Sequence, residues 1–415
     1  MKYLCIFSRL LLGVVFIVSG LTKAIDPVGY GFVITEYLNA LGLSFFNPIA
    51  LSFGALQTAF EFVLGVALLI GLQLRLTSIL TMLIMVFFTF FTLWTAISNP
   101  VQHCGCFGDA IRLTNWETFC KNLIFTPFSL LLFFKRKRFA PISLHIGEWS
   151  TLVLFGVASL ALSIHCYRHL PLVDFTGYKV GNNIPEAMTL PEGAPRTQYE
   201  TLLTYQRGSE TKQFSFDELP DSSWTFVSVK TRVLKRGAIP AIPSFEVRTY
   251  GGKYITDSLL SVKGALLIFV VPYMDKAHPK ALEEVGMLFK QVAEHLNIPF
   301  VTLSGSGEEQ TISRMKGNDL HTPLYYSDAK TLYTMIRSNP GLILLYDANV
   351  VAKWSAWDIP SFQSFSNLLD RDWEVVSAKA KISEHLTMEL FAVSLILLLA
   401  VLGYIFRKMS KPEAD

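Results

Sequence analysis

Long apolar segments dominate the first part of the chain and return near its end. A helix needs about 20 consecutive apolar residues to cross the hydrocarbon core of a bilayer. Six segments reach or approach that length: 3–21, 49–72, 76–97, 116–134, 149–166 and 386–406. The stretch between the fifth and sixth segments shows short apolar runs separated by turn residues instead. The pattern therefore predicts six membrane helices and one large soluble region.

The soluble region divides into two parts by its pattern. From about residue 240 it is typical of an α/β domain, with strands at 245–247, 253–255, 265–271, 298–303, 341–346 and 350–354 and helices at 281–296 and 328–336. Residues 167–239 are β-rich, with a predicted hairpin of 200–205 and 212–216 and a further strand at 224–230. The pattern of this first part indicates no family.

Composition supports a mixed membrane and soluble chain. Hydrophobic residues make up 51% of the 415 residues and charged residues only 17%. The formal net charge of +3 is too small to indicate nucleic-acid binding. The sequence contains no phosphate-binding loop, catalytic triad or haem motif. The first apolar segment lacks a clear small-residue cleavage site and is predicted to be a retained helix, not a removed signal peptide.

Basic residues next to the apolar segments predict the orientation. Residues 135–138 are all basic and follow the fourth segment, and Arg407, Lys408 and Lys411 follow the sixth. Such clusters remain on the cytoplasmic side. The sequence thus predicts a multi-pass protein of the inner (cytoplasmic) membrane, with both termini in the cytoplasm and the soluble region extracytoplasmic.

Two cysteines stand one residue apart in the loop before the fourth segment. Cys104 and Cys106 are separated by Gly105, and the predicted topology places them on the oxidising side. Cys120 and Cys166 are predicted to lie near the same membrane face and are candidate exchange partners. The Cys-x-Cys pair is the candidate catalytic site for thiol exchange.

Three interpretations of this pair remain open. A bond between such close cysteines would close a strained ring, easily reduced and suited to donating disulfides. Alternatively, a reduced or permanently bridged loop would only fix the third and fourth segments. The third alternative is a Zn or Cu(I) site that uses His103, Cys104, Cys106 and Asp109.

An acidic residue interrupts the second apolar segment. Glu61 lies about twelve residues into it, roughly 18 Å along a helix, so it is expected near mid-membrane. Acids at that depth are by default functional candidates. Glu61 would relay protons, bind a quinone, or tie helices together through Gln57. Lys23, at the outer edge, is expected not to reach it. No feature of the sequence requires a cofactor, and a quinone is a possible ligand.

The first four segments resemble the DoxX-like superfamily and, within it, the MauE branch of methylamine-utilisation membrane proteins. The resemblance covers about residues 4–134. The motif positions that carry it are Gly20, Lys23, Gly105, Phe107, Gly108 and Asn122. It implies a four-helix membrane bundle with a role in disulfide formation or maturation of exported proteins. Nothing else in the chain indicates methylamine as its context.

The soluble region from about 240 to 360 resembles the thioredoxin-like fold of the TlpA and peroxiredoxin type. Asn339-Pro340 precedes the last hairpin, where that fold carries a cis-proline. The Cys-x-x-Cys of thioredoxins is missing, and no cysteine follows Cys166. This domain therefore cannot be a dithiol oxidoreductase by itself.

The predicted organisation has five parts: a DoxX/MauE-like bundle (1–138), a fifth membrane helix (147–166), a β-rich segment (167–239), a thioredoxin-like domain without cysteines (240–370) and a C-terminal membrane helix (386–406). The leading hypothesis is thiol-disulfide exchange or maturation of exported proteins through Cys104 and Cys106. The alternatives are a non-enzymatic scaffold with a client-binding domain, and a quinone-linked or small-molecule carrier that uses Glu61. The expected partners are the lipid bilayer and exported client or thiol-redox proteins, without nucleic acid.

Overall fold

The computed structural model describes residues 2–101, 104–111, 113–139, 145–190, 193–195, 198–208, 210–215, 219–235, 237–369 and 372–409. Its first half is helical. The helices are α1 (Lys2–Ile25), α2 (Pro27–Ala40), α3 (Ala50–Ile70), α4 (Leu74–Ser98), α5 (Asn115–Lys135) and α6 (His145–His169). A short strand, β1 (Cys106–Asp109), precedes α5, and 3₁₀ turns occupy Ser44–Ile49 and Arg136–Arg138.

Four helical segments of the described residues are long and apolar enough to cross a membrane: Tyr3–Ile25, Ser44–Ile70, Leu74–Ser98 and Gly147–His169. These are the first, second, third and fifth of the predicted segments. The fourth and sixth form the helices α5 and α13 (Trp373–Met409), of 21 and 37 residues. The structure thus contains four candidate membrane spans, and a count of six stays a prediction.

The helix α2 was not predicted, because residues 26–48 were expected to form a loop. Asp26 caps this helix by accepting a hydrogen bond from the backbone N–H of Gly29, and Pro27 occupies its first position. Both are strong helix-start signals. The helix buries Tyr30 and Ile34 against the bundle, so tertiary packing stabilises a segment that lacks the length of a membrane span.

The antiparallel helices α1 and α3 pack closely because glycines lie at their contact. A Cβ on Gly20 would come within 2.8 Å of the backbone nitrogen of Phe62, and one on Gly65 within 2.7 Å of that of Ile17. Small residues at a membrane-helix interface let the two backbones approach. This approach brings polar side chains of α1 and α3 within reach of one another.

The second half contains two sheets. The first has the order β3-β2-β4 and is antiparallel, built from β2 (Gln198–Arg207), β3 (Glu210–Ser215) and β4 (Thr225–Lys235). The second has five strands in the order β7-β6-β5-β8-β9, built from β5 (Ala265–Val271), β6 (Phe300–Ser304), β7 (Leu324–Tyr326), β8 (Gly341–Tyr346) and β9 (Asn349–Ser355). The strands β5, β6 and β7 are parallel, whereas β8 and β9 are antiparallel to their neighbours.

Short helices connect and cover these strands: α7 (Ile184–Ala187), α8 (Thr256–Leu260), α9 (Pro279–His295), α10 (Glu308–Lys316), α11 (Ala329–Met335) and α12 (Phe362–Leu369), with a 3₁₀ turn at Met274–Lys276. The apolar strand β5 is central and buried on both faces, as its continuous apolar run predicted. We refer to residues 240–369 as the sheet domain.

Most of the strands and helices predicted for the second half are confirmed, including the hairpin of β2 with β3 and that of β8 with β9. The strands expected at 245–247 and 253–255 do not form regular strands. They are reduced to an isolated bridge of Arg248 with Tyr254 and a few backbone hydrogen bonds. Arg248 also forms a bridge with Tyr326 of β7 at the edge of the five-stranded sheet. The backbone of Arg248 is therefore shared between the sheet edge and the predicted hairpin. The Asn339–Pro340 peptide bond is cis.

Candidate functional site

Cys104 and Cys106 lie at one end of the helical bundle, which we call the cysteine end. Their sulfur atoms are 3.3 Å apart. This is longer than a disulfide bond of about 2.05 Å, so the two sulfur atoms are not bonded to each other in this structure. Gly105 between them has a φ of +68°, a value that favours glycine. Cys104 is buried and Cys106 half-buried.

Hydrogen bonds from two helices hold the backbone of this pair. The Ser19 hydroxyl of α1 donates to the Cys106 carbonyl at 2.7 Å, and the Tyr37 hydroxyl of α2 donates to the Cys104 carbonyl at 3.2 Å. Burial raises the pKa of Tyr37, so its phenol stays protonated as a donor. The two thiols are thus attached to the bundle through α1 and α2, not only through their own loop.

The electrostatic environment distinguishes the two thiols. A hydrogen bond from the Cys104 thiol, together with the positive charges of Lys121 and Lys23, lowers the pKa of Cys106 to about 6 despite its burial. The same hydrogen bond and burial raise the pKa of Cys104. Cys106 is therefore the thiolate near neutral pH and Cys104 the thiol that donates to it. Such an asymmetric pair is suited to thiol exchange.

An ion pair lies directly behind the dithiol. The Lys23 ammonium is 2.7 Å from one Glu61 carboxylate oxygen and 3.0 Å from the other, and both side chains are buried. The expectation that Lys23 does not reach Glu61 was therefore wrong. The physical reason is the close approach of α1 and α3 at Gly20: Lys23 lies about one turn further along and faces Glu61.

The Glu61 carboxylate is fully occupied by its neighbours. Besides Lys23, it accepts a hydrogen bond from Gln57 at 3.2 Å and lies 2.8 Å from the Ser19 hydroxyl, whose single proton it shares with the Cys106 carbonyl. Ser19 therefore bridges the ion pair to the Cys106 backbone. Glu61 is the twelfth residue of α3, as expected, and it lies beside the last turn of α1, which ends at Ile25. It is therefore close to the cysteine end, and its depth in the membrane stays a prediction.

A cavity of about 570 Å³ opens beside the dithiol. Apolar and aromatic side chains of α1 to α5 form most of its wall. Its polar lining, apart from the two cysteines and two tyrosines, consists of Ser19, Lys23, Gln57, Glu61, Lys121 and Asn122. The volume lies within the range of small-molecule sites, which combine apolar walls with a few polar groups.

The remaining motif residues support the wall of this cavity. The Asn122 amide donates to the Thr92 hydroxyl at 3.2 Å and joins α5 to α4. The Lys121 ammonium lies 4.6 Å from the centroid of the Phe107 ring. Gly108 has a φ of +57° and turns the chain after the dithiol. The motif residues that carry the family resemblance therefore lie around one site, the dithiol and its cavity.

The two other candidate cysteines lie apart from the dithiol. Cys120 is exposed on α5, and Cys166 is fully buried on α6. Neither lines the cavity, and among the described residues neither sulfur lies within hydrogen-bonding distance of the pair. Their role as exchange partners stays a prediction that requires movement of the chain.

For the metal alternative, His103 lies outside the described residues, and no group of three or more His, Cys, Asp or Glu in the described ranges is arranged to hold an ion.

The sheet domain contacts the cysteine end through a buried arginine. Arg337 follows α11, and its guanidinium lies 2.9 Å from the Asp26 carboxylate and 2.6 Å from that of Asp109, the last residue of β1. Its side chain is only 5% exposed. Around it, Tyr333 packs edge-to-face on Phe32 at 5.1 Å. One residue of the sheet domain thus connects the helix cap of α2 to the strand that carries Cys106.

Sequence reasoning missed several of these residues: Ser19, Asp26, Tyr37, Lys121 and Arg337. Lys121 stands next to the motif residue Asn122, and Asp26 follows the first apolar segment, so their charges beside apolar residues were the available signal. The sequence around Arg337 gave no such signal, because its partners lie more than two hundred residues away in the sequence. Only the docking of the sheet domain shows its role.

Comparison with known proteins supports part of this description. Residues 1–135 match the family model of methylamine utilisation protein MauE, which covers about a third of the chain. Residues 199–236, which contain β3, β4 and all but the first residue of β2, match a domain of unknown function (DUF8463). No curated protein matches the chain. The MauE match confirms that branch of the resemblance, and with the four candidate spans it indicates a membrane protein.

Proposed function

We propose that this protein is a membrane thiol-disulfide oxidoreductase whose dithiol, Cys104 and Cys106, exchanges disulfides with thiols of exported proteins. The observation that carries the proposal is the pair itself. Two sulfur atoms 3.3 Å apart, one polarised toward a thiolate, lie beside the cations Lys23 and Lys121. A buried structural pair would need neither the cations nor a cavity.

The exchange balances as follows. The oxidised protein carries a Cys104–Cys106 disulfide, and a client thiolate attacks one of its sulfur atoms. The S–S bond breaks, a mixed disulfide forms, and the released cysteine leaves as a thiolate. A second client thiol then attacks the mixed disulfide and frees the dithiol. Two electrons pass from the client to the pair, Cys104 keeps one of the two client thiol protons, water takes the other, and one client disulfide forms. Cys106, with the lower pKa, is the better leaving group, so the client attack is directed to Cys104.

Two further helices complete the membrane part of this proposal. In the proposed topology α5 and α13 also cross the bilayer, giving six spans in the inner membrane. Leu395 of α13 packs against the buried cluster formed by α1, α3 and α6, which supports its place beside the bundle. The basic turn Arg136–Arg138 and Arg407 would then face the cytoplasm, and the cysteine end and the sheet domain would be extracytoplasmic.

The sheet domain is proposed to be a thioredoxin-like binding module without chemistry of its own. The central strand with parallel neighbours on one side and antiparallel ones on the other supports this assignment. The absence of cysteine after Cys166 supports the non-catalytic role of this domain. Through Arg337 the domain touches both the cap of α2 and the end of β1. A client held by this domain would therefore lie close to the dithiol.

Trapping of the mixed disulfide tests the proposal. The full-length protein is oxidised in lipid nanodiscs and mixed with a fluorescent peptide that carries two cysteines. We expect the wild type to convert the peptide to its disulfide in a one-to-one reaction. Given the peptide as its disulfide, Cys106→Ser should attack it through Cys104 and retain a peptide adduct, because no second cysteine remains to release it. Cys104→Ser, treated in the same way, should form the adduct on Cys106 and form it faster near neutral pH, because Cys106 has the lower pKa.

The double variant Cys104→Ser/Cys106→Ser is the control and should form no adduct and no oxidised peptide. Adducts found only on Cys120 or Cys166 would show that those residues, and not the Cys104–Cys106 pair, carry out the exchange. A wild type that neither oxidises the peptide nor forms an adduct would refute the oxidoreductase and favour the scaffold, in which the cysteines only fix the loop. Labelling with a thiol reagent that cannot cross membranes tests the proposed orientation separately.

A further inference from the structure

The cavity beside the dithiol is open toward the side of the bundle. Five of its large apolar lining residues are also exposed at the outer surface: Phe53 and Phe60 of α3, Leu83 and Phe87 of α4, and Leu41, which follows α2. Their exposed fractions range from 41% to 61%. Because α3 and α4 are candidate membrane spans, this opening faces hydrocarbon and not water. A molecule that enters here comes from the bilayer.

The opposite end of the cavity is polar and chemically active. Cys106 lines it together with Lys121, whose ammonium contacts the Phe107 ring but has no hydrogen-bond acceptor among the described residues. A cation without an acceptor in a largely apolar cavity favours a ligand oxygen. The neighbouring Lys23 is already satisfied by Glu61, which leaves Lys121 as the available donor at this end.

These two ends specify one class of ligand. We infer that the cavity binds a lipid-soluble quinone, with a ring carbonyl at Lys121 and Cys106 and an apolar tail that leaves between α3 and α4. The inference rests on the proposed function, for which it supplies the electron acceptor. Aromatic walls formed by Phe87, Phe88 and Phe91 suit a flat ring.

The reoxidation balances without another reagent. The reduced pair gives up two electrons and the proton of Cys104, and one S–S bond forms between Cys104 and Cys106. One quinone carbonyl oxygen takes that proton and the other takes a proton from water, so that the quinone becomes a hydroquinone with two O–H bonds. Lys121 stabilises the negative charge that develops on the first carbonyl oxygen, and the hydroquinone returns to the bilayer through the same opening.

A substitution at the opening tests the assignment. Leu83→Trp places a larger ring between α3 and α4, at a position exposed to lipid, where folding has little need of the leucine. Leu76→Trp is the matched control, because it is also a lipid-exposed leucine of α4 but does not line the cavity. Both variants are reduced in phosphatidylcholine nanodiscs and mixed with decylubiquinone.

We expect the wild type and Leu76→Trp to form one hydroquinone for each dithiol oxidised, measured by ultraviolet absorbance and by mass spectrometry of alkylated thiols. Leu83→Trp should slow this reaction by about tenfold, because the opening of a preformed site is blocked. Exchange with the cysteine peptide is measured for both variants in parallel, and Leu76→Trp should match the wild type in it. The double variant Cys104→Ser/Cys106→Ser should still retain decylubiquinone on the purified protein, which measures binding without redox chemistry.

The outcomes separate this inference from the proposed function. Normal peptide oxidation without any reduction of decylubiquinone would overturn the quinone and leave the oxidoreductase in place. Recovery of a phospholipid from the cavity, not displaced by decylubiquinone, would also overturn it. Equal rates for Leu83→Trp and Leu76→Trp would refute entry between α3 and α4. Loss of peptide exchange with quinone retained by the double variant would remove the proposed function and keep the binding site.

Discussion

Replacement of Arg337 should release the sheet domain from the cysteine end. In Arg337→Met, the carboxylates of Asp26 and Asp109 lose a partner that lies 2.9 and 2.6 Å away. Asp26 is only 3% exposed, so water cannot replace the guanidinium without opening the contact. Removal of one partner from a buried ion pair costs about 3–5 kcal/mol. At about 1.4 kcal/mol for each tenfold change, the open state should become at least a hundred times more populated.

Hydrogen exchange measured by mass spectrometry on the full-length protein in nanodiscs checks this magnitude. Peptides that contain β1 and the loop after α11 should lose protection together, while peptides of the central strand β5 should not change. Lys330→Gln is the matched control, because Lys330 pairs with Glu36 at the same contact but is 65% exposed. Exposed pairs contribute about 0–1 kcal/mol, so exchange should rise by fivefold at most.

Equal effects of Arg337→Met and Lys330→Gln would refute the argument that burial makes Arg337 the main anchor. Arg337→Lys supplies a second check. It keeps the charge but loses the forked geometry that spans two carboxylates, so we expect an intermediate loss of protection. Addition of Asp26→Asn to Arg337→Met should restore part of the protection, because the buried side chain at position 26 then carries no charge.

Three further predictions concern the dithiol and the sheet domain. Alkylation of Cys106 in the reduced protein, followed by mass spectrometry, should stay fast at neutral pH and fall as the pH drops through about 6, where the thiolate is protonated. Gly105→Ala should reduce peptide oxidation, because its Cβ would lie 2.6 Å from Val33 at a φ of +68°. Asp174→Asn should lower the free energy of unfolding by about 1–3 kcal/mol at neutral pH, since the buried ion pair with Lys353 is lost.

Each of these has its own control. Lys121→Gln should move the midpoint of Cys106 alkylation to higher pH, because a nearby positive charge is removed. Gly108→Ala shares the positive φ of Gly105, but its Cβ would meet only the Thr22 carbonyl oxygen, at 3.9 Å. It should therefore retain more exchange than Gly105→Ala, and equal losses would attribute the effect to backbone strain alone.

The Asp174 control is the pH dependence itself. Although burial raises the pKa of Asp174, the charge and hydrogen bond of Lys353 lower it further, so the net shift is downward. The contribution of the pair is therefore fully present above the ordinary value of 3.8 and disappears as the pH falls below it. The difference in unfolding free energy between the wild type and Asp174→Asn should shrink in that range. A difference that persists in acid would contradict the role assigned to the ion pair.

The sequence by itself determined the elements whose signal is local. Apolar length predicted the long helices, alternation and turn residues predicted the hairpin of β2 with β3, and a continuous apolar run predicted the buried strand β5. The spacing of Cys104 and Cys106 around Gly105 indicated the candidate site, whose chemistry stays a prediction. The predictions of helices and strands succeeded because each depends on neighbouring residues and on the solvent that surrounds them.

The tertiary structure alone decided which distant groups meet. The close contact of α1 with α3 joined Lys23 to Glu61, which sequence distance and expected depth had kept apart. The packing of α2, predicted as a loop, supplied Tyr37 to the dithiol. The docking of the sheet domain inserted Arg337 between Asp26 and Asp109. Ion pairs and cavities depend on the relative positions of whole elements, and no local pattern records those positions.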